Sequence, residues 1–405
     1  MCKQTEGVAH MKALTCVVIG AGYAGIHAVK EIRKLFKDQV NKHPLRLVMI
    51  DKNPFHLRKV LMFRPAVTNE EIRIPLTKLF PDGVELVQAT VSNVKAAEKK
   101  LVYLNSMGTK HEMNYDMLIV AAGSVIRQPD PEQGGIALAS LENAQKIRSL
   151  WLANLKQAAV EKEPRERERL MRIAIAGAGI SGMETAAELA YYARKDAKRL
   201  GLDPQSVKID LYNTQQRLFL DGPAKVGMKL EHLLRDIGIN VVHEKRVIKE
   251  KDGGLWLSDG EKLPVGLCIW TLGLQPNPML HTIGLPVTPE GYALVDASYR
   301  VADMPDVYSI GDCARIVDPV NGHVDGKTCK EAIPQAANLA RIMLADLEGR
   351  QAPVHESYMK SFSIGLGPDR GLTWVNKWGL DIVITGKLGW KIKKYTWDTA
   401  SLLTK

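Results

Sequence analysis

A short apolar strand, a glycine-rich turn and a helix occur twice in this chain, and that repeat constrains the fold more than any other feature. The first copy runs through Cys16-Val17-Val18-Ile19 into Gly20-Ala21-Gly22-Tyr23-Ala24-Gly25. The second runs through Ile173-Ala174-Ile175-Ala176 into Gly177-Ala178-Gly179-Ile180-Ser181-Gly182. In such a turn the first glycine permits the tight reversal. The second lets backbone approach a pyrophosphate, and the third lets helix and strand pack closely. The amides of the helix N-terminus then face the phosphates. Each copy continues into another apolar strand, at 45–51 and 207–213. Two βαβ units imply parallel sheets covered by helices on both faces, hence an α/β fold of two Rossmann-like dinucleotide-binding domains.

The ends of those second strands differ. Asp51 stands where an acid binds a ribose 2′-hydroxyl, although an acid before Lys52-Asn53-Pro54 also suits a plain turn. The matching residue in the second unit is Asn213. A neutral amide does not repel a 2′-phosphate, and Arg217, four residues on, offers a guanidinium for it. NADPH is therefore expected to be accepted beside NADH and slightly favoured, unless Arg217 is only a surface residue.

A chain of 405 residues with 45% hydrophobic and 25% charged residues is long enough for two or three domains with real cores. Its five cysteines are scattered, with no C-x-x-C pair, which argues against a disulfide framework, a zinc site or a dithiol centre. No metal cluster is expected. The net charge of +10 favours anionic partners in general, but no nucleic-acid motif accompanies it. No run reaches the ~18 apolar residues of a membrane span. Residues 1–10 read as a polar leader, residues 151–172 as a charged, solvated connector, and the chain as cytoplasmic. Four of the seven tryptophans (Trp374, Trp378, Trp390 and Trp397) fall in the tail among Lys377, Lys387, Lys391, Lys393 and Lys394. That mixture suits either a membrane surface or a small cap over a ligand pocket.

Three further motifs carry a family resemblance. Tyr115-Asp116-Met117-Leu118-Ile119-Val120-Ala121-Ala122-Gly123-Ser124 resembles the strand and glycine that close the first nucleotide domain of two-dinucleotide flavoproteins. Ile269-Trp270-Thr271-Leu272-Gly273 resembles the counterpart after the second. Ser309-Ile310-Gly311-Asp312 resembles the second FAD motif, whose aspartate binds the ribityl chain. Together they resemble the pyridine-nucleotide–flavin reductase superfamily, and within it the type II NADH dehydrogenases and apoptosis-inducing-factor-like quinone reductases. The stretch Asn53 to Pro65, where the disulfide branch carries its redox cysteines, has none.

The resemblance implies an FAD-dependent NAD(P)H oxidoreductase delivering two electrons to a quinone. It implies an FAD domain of residues 11–123 and 291–355, an NAD(P) domain of 124–290 and a C-terminal domain of 356–405. FAD contacts are expected at Gly20, Gly22, Tyr23, Ala24, Gly25, Asp51, Lys52, Arg64, Ala122, Gly123, Gly311, Asp312, Gln335 and Ala336. NAD(P) contacts are expected at Gly177, Gly179, Ile180, Ser181, Gly182, Glu184, Asn213, Arg217, Leu272 and Gly273. Glu184 matches a family acid near the nicotinamide, though an acid also suits a helix's first turn. Gln335, in Ala332-Ile333-Pro334-Gln335-Ala336, matches a family quinone-site residue. The family's further glutamine or histidine is replaced by Asn338 and Leu339. A helix N-terminus near Pro334–Ala336 is expected to face the flavin. A homodimer and a peripheral contact with the inner membrane face fit the same resemblance. A reductase of a small carrier protein, a biosynthetic flavin oxidoreductase and a redox-sensing binding protein remain open.

Overall fold

The computed structural model describes residues 13–37 and 43–404, so the expected leader lies outside the described residues. The first glycine unit builds a seven-stranded sheet. Leu14–Ile19 lies between Leu45–Asp51 and Met117–Val120, all parallel. Val307–Ser309 extends the sheet beside Met117–Val120, and Glu85–Lys95 extends it beside Leu45–Asp51. An antiparallel extension, Lys100–Asn105 and Lys110–Asn114, completes it. Val17, Val18, Val48 and Ile119 are fully buried, as continuous apolar strands must be when helices cover both faces. Helices Tyr23–Phe36 and Cys329–Leu347 pack together over this core. The return of residues 307–347 to the first domain makes it discontinuous in sequence.

The second unit builds a five-stranded parallel sheet in the order Ile136–Ala137, Leu267–Trp270, Arg172–Ala176, Lys208–Tyr212, Ile239–Val242. The two units are joined by paired chain segments, Ser124–Ile126 against Leu274–Pro276. The charged connector is only partly solvated. Helix Leu141–Ala158 buries Trp151, whose Nε1 donates to Ala66 O at 2.9 Å.

The tail is a three-stranded antiparallel sheet, Ser361–Gly365, Gly371–Lys377 and Leu380–Thr385, followed by helix Gly386–Ala400. It shares one apolar cluster with the nucleotide domain: Phe362, Ile364, Leu372, Trp374 and Trp397 pack with Met183, Ala187 and Leu218. Two of the four tail tryptophans are thus core residues, whereas Trp378 is 86% exposed.

Candidate functional site

The two glycine turns have the same stereochemistry. Gly20 (φ +102°) and Gly177 (φ +121°) adopt backbone that an L-residue avoids, and a Cβ on either would meet a carbonyl oxygen at 2.4 Å (Ala121 and Thr271). A Cβ on Gly25 would lie 1.9 Å from Gly20 O, and one on Gly182 would lie 1.9 Å from Gly177 O. Only the middle glycines differ: a Cβ on Gly22 or Gly179 meets nothing within 4 Å. Both middle glycines are helix N-caps, with no side-chain cap and no acid in the following turn. Each turn therefore leaves a backbone concavity with free amides and unopposed positive helix potential. A pyrophosphate fits that chemistry, and two such cradles fit two dinucleotides.

Around the first cradle the expected contacts converge. Asp51 accepts from Ala21 N (2.7 Å) and Asn53 N (2.8 Å), which fixes its carboxylate at the strand end. Burial raises its pKa from the usual carboxylate range. Gly311 (φ +77°) stands against Ala24, where a Cβ would lie 2.6 Å from the Ala24 Cβ. Asp312 accepts from Ser124 Oγ at 2.7 Å, and Lys59 Nζ donates to Ser124 O at 2.7 Å. Strand Val307–Ser309 lies beside Met117–Val120, which sets Gly311 and Asp312 next to Ala122 and Gly123. Tyr23 accepts from Val60 N and meets His56 edge-on. Lys52 is exposed. Asp51, Asp312 and the glycine turn together fit the ribose, ribityl chain and pyrophosphate of FAD.

Five expectations need correction. Arg217 does not reach toward a ribose phosphate. Its guanidinium donates to the carbonyls of Leu218, Phe219, Leu220 and Gly222, because its own loop closes around it. Asn213 is held by His243 Nδ1 and Arg217 O. Arg64 is not at the first cradle. Its guanidinium lies against Glu188, 3.4 Å away, and over the Phe63 and Trp397 rings. The helix expected to start near Pro334 begins at Cys329 behind a Thr328/Glu331 capping box, so Pro334 is inside it. Gln335 is buried, with Oε1 accepting from Gly311 N (2.9 Å) and Nε2 donating to Asp325 (2.8 Å). One acceptor and one donor of its amide are thus spent on holding the Gly-Asp turn and on Asp325. Finally, Glu184 lies beyond the first helical turn and is 2% exposed.

Glu184 belongs to a seam where all three parts of the chain meet. Its Oε1 accepts from Gly365 N (2.9 Å) and lies 3.1 Å from Lys393 Nζ. Lys393 also donates to Ser363 O (2.8 Å), and Lys330 donates to Ser361 O (2.8 Å) and Oγ (2.9 Å). Ser361–Gly365 is one of the two edge strands of the tail sheet. Its unpaired backbone groups are satisfied by two ammoniums and a carboxylate rather than by another strand. Burial raises the pKa of Glu184, which Lys393 partly offsets. Burial likewise pushes Glu188 to about 7, against the pull of Arg64. An acid whose pKa is raised on folding holds its proton when the unfolded chain has lost it. Stability should therefore fall as pH rises from about 4.5 to about 7, then level off. Glu188→Gln should flatten that slope, read as thermal midpoints at pH 5 and pH 8.

Lys59 and Lys330 escaped the sequence reading, and Ser124 and Lys393 entered it without a site role. Each stands in or beside a quoted segment, but no motif separates one lysine from its neighbours. His56 also escaped it. The ring is buried, with Nδ1 2.8 Å from Ala21 O, and burial lowers its pKa to about 4.

Comparison with known proteins agrees with this geometry. The profile described as pyridine nucleotide-disulphide oxidoreductase matches residues 14–339. The internal alternative NAD(P)H-ubiquinone oxidoreductase A1 of Solanum tuberosum is 23% identical over 376 residues, covering 86% of this chain and 72% of that protein. The type II NADH:quinone oxidoreductase Ndh of Mycobacterium tuberculosis is 24% identical, covering 84% and 74%. NDH2 from Plasmodium falciparum in complex with NADH has the same fold, at a TM-score of 0.79 with 15% identity and 97% of both chains covered. With both cradles and the matched span in agreement, this chain belongs to the pyridine nucleotide-disulphide oxidoreductase family.

Proposed function

We propose that the protein is an FAD-dependent NAD(P)H:quinone oxidoreductase catalysing NAD(P)H + H⁺ + quinone → NAD(P)⁺ + quinol. The observation that carries this reading is the pair of matched cradles, with Gly22 and Gly179 both opening on free space, in a chain similar to quinone oxidoreductases. FAD, when bound, supplies the ring that accepts the nicotinamide hydride. The chain's own residues bind and orient. The helix N-termini at Tyr23 and Ile180 take the pyrophosphates. Asp51 takes a ribose hydroxyl, and Asp312, aimed by Ser124, takes a ribityl hydroxyl. Quinol formation needs protons, and the Glu184–Lys393 pair is the buried group that holds one at the seam.

Both NADH and NADPH serve as donors. Asn213 adds no negative charge at the ribose, and Arg217 adds no aimed positive charge, so neither residue supports the slight NADPH preference. Arg217→Ala should leave the NADH/NADPH ratio of kcat/KM within about twofold, since a lost phosphate pair would shift it by ~10-fold or more. Membrane contact is through the outer face of the tail. Leu380, Ile382, Leu388 and Tyr395 are exposed there beside Lys387, Lys391 and Lys394, and aromatic, aliphatic and basic groups together suit an anionic lipid surface. Among the described residues no helix is long and apolar enough to cross a membrane.

Anaerobic mixing of holoprotein with NADH or NADPH, followed by a quinone panel, tests the function. Bleaching of the oxidised-flavin absorption and its rapid return with quinone are expected. Reduction without reoxidation by any quinone would remove the proposed acceptor class.

A further inference from the structure

Lys330 is a half-buried ammonium on the first turn of helix Cys329–Leu347, bonded among the described residues only to the carbonyl and hydroxyl of Ser361. Among the described residues no carboxylate lies within 4.0 Å of its Nζ. The nearby Lys393 opposes it rather than pairing with it, and Glu331 is engaged in the capping box. A serine edge needs only a neutral donor, so the charge at this place is unexplained by the fold. The surroundings are apolar on one side. Ile333 and Pro334, three and four residues on, share the face of Lys330 and are half-buried, whereas Ala332, Gln335, Ala336 and Leu339 fill the core behind. Helix face and tail strand thus meet where a half-buried cation, with no carboxylate partner among the described residues, shares its helix face with half-buried aliphatic carbon.

We infer that this seam recognises an acceptor bearing an anionic group on its ring, a carboxylated quinone or its acidic quinol, with Lys330 pairing the anion and Ile333 and Pro334 covering the ring edge. The inference rests on the quinone reductase reading and adds to it the charge of the substrate. A charge-assisted hydrogen bond at a half-buried site is worth about tenfold in affinity.

Two measurements on the holoprotein test it. The first compares kcat/KM for a ring-carboxylated 1,4-naphthoquinone with that for 2-methyl-1,4-naphthoquinone. Lys330→Gln, which keeps a donor for Ser361, should lower this ratio by about tenfold or more, and Lys330→Arg should retain it. The second titrates 2-naphthoate and 2-naphthol, which undergo no turnover, against tryptophan fluorescence. Lys330→Gln should weaken naphthoate binding selectively, and salt should do the same to the wild-type protein. Equal changes for charged and neutral ligands would mean that Lys330 acts on fold or flavin, and would overturn the inference. Wild-type protein that reduces neither quinone yet binds naphthoate through Lys330 would instead refute the quinone reading and leave the anion site standing.

Discussion

Replacing Gly179 by aspartate is expected to raise the KM for NADH by at least about 100-fold while flavin stays bound and the protein becomes no less stable. The residue adopts φ −71°, which any amino acid tolerates, and its Cβ would meet no neighbour. It is also the N-cap of helix Ile180–Arg199, where aspartate typically adds a few tenths of a kcal/mol over glycine. The folded protein thus accepts the change. The dinucleotide does not: the new carboxylate takes the pyrophosphate's space and neutralises the helix end that would attract it. Like-charge juxtaposition of this kind costs several kcal/mol, and about 3 kcal/mol already exceeds 100-fold. Flavin content, set by the separate cradle at Gly22, is the internal control. Steady-state kinetics, flavin absorbance and a thermal melt read the three outcomes together. An unchanged KM would mean that the second turn does not hold the nicotinamide nucleotide. Gly182→Ala is a contrasting change, because its Cβ would press to 1.9 Å from Gly177 O and the turn itself would have to move.

Removing one partner of the seam should cost far more than removing both. Lys393→Met leaves Glu184, 2% exposed, with Gly365 N as its close donor. Breaking a buried pair in this way typically costs about 3–5 kcal/mol. The loss should appear as early detachment of the tail, seen as increased accessibility of Trp397 to a fluorescence quencher, because Lys393 Nζ lies 5.3 Å from that ring. Combining Lys393→Met with Glu184→Gln removes the buried charge as well, and should recover more than half of the lost thermal stability. The two changes would then be strongly non-additive. Additive losses would show that the two residues stabilise the seam independently. Quinone turnover should stay low in the double variant even where stability returns, since the group proposed to hold the proton is gone.

How much of this was legible beforehand varied with the range of the interaction. The strand at 45–51 and the turns at Gly20 and Gly177 were readable because glycine spacing and apolar runs are local signals, and the structure has Leu45–Asp51 in that place. The neutral Asn213 was readable, but the direction of Arg217 was not. A guanidinium four residues from a strand end can reach outward or fold back, and four carbonyls of its own loop decide the matter. Gln335 shows the same limit: its position was evident, yet Gly311 and Asp325 claim its amide.

The sequence by itself determined that the chain folds as two dinucleotide-binding units, because the glycines are demanded by backbone sterics within a few residues of one another. Tertiary structure alone decided that Glu184, Lys330 and Lys393 meet at one seam against the edge of the tail sheet. These residues lie on segments far apart in the chain, and what each charge does depends on burial and on the partner within a few ångströms. No local pattern of residues encodes either quantity.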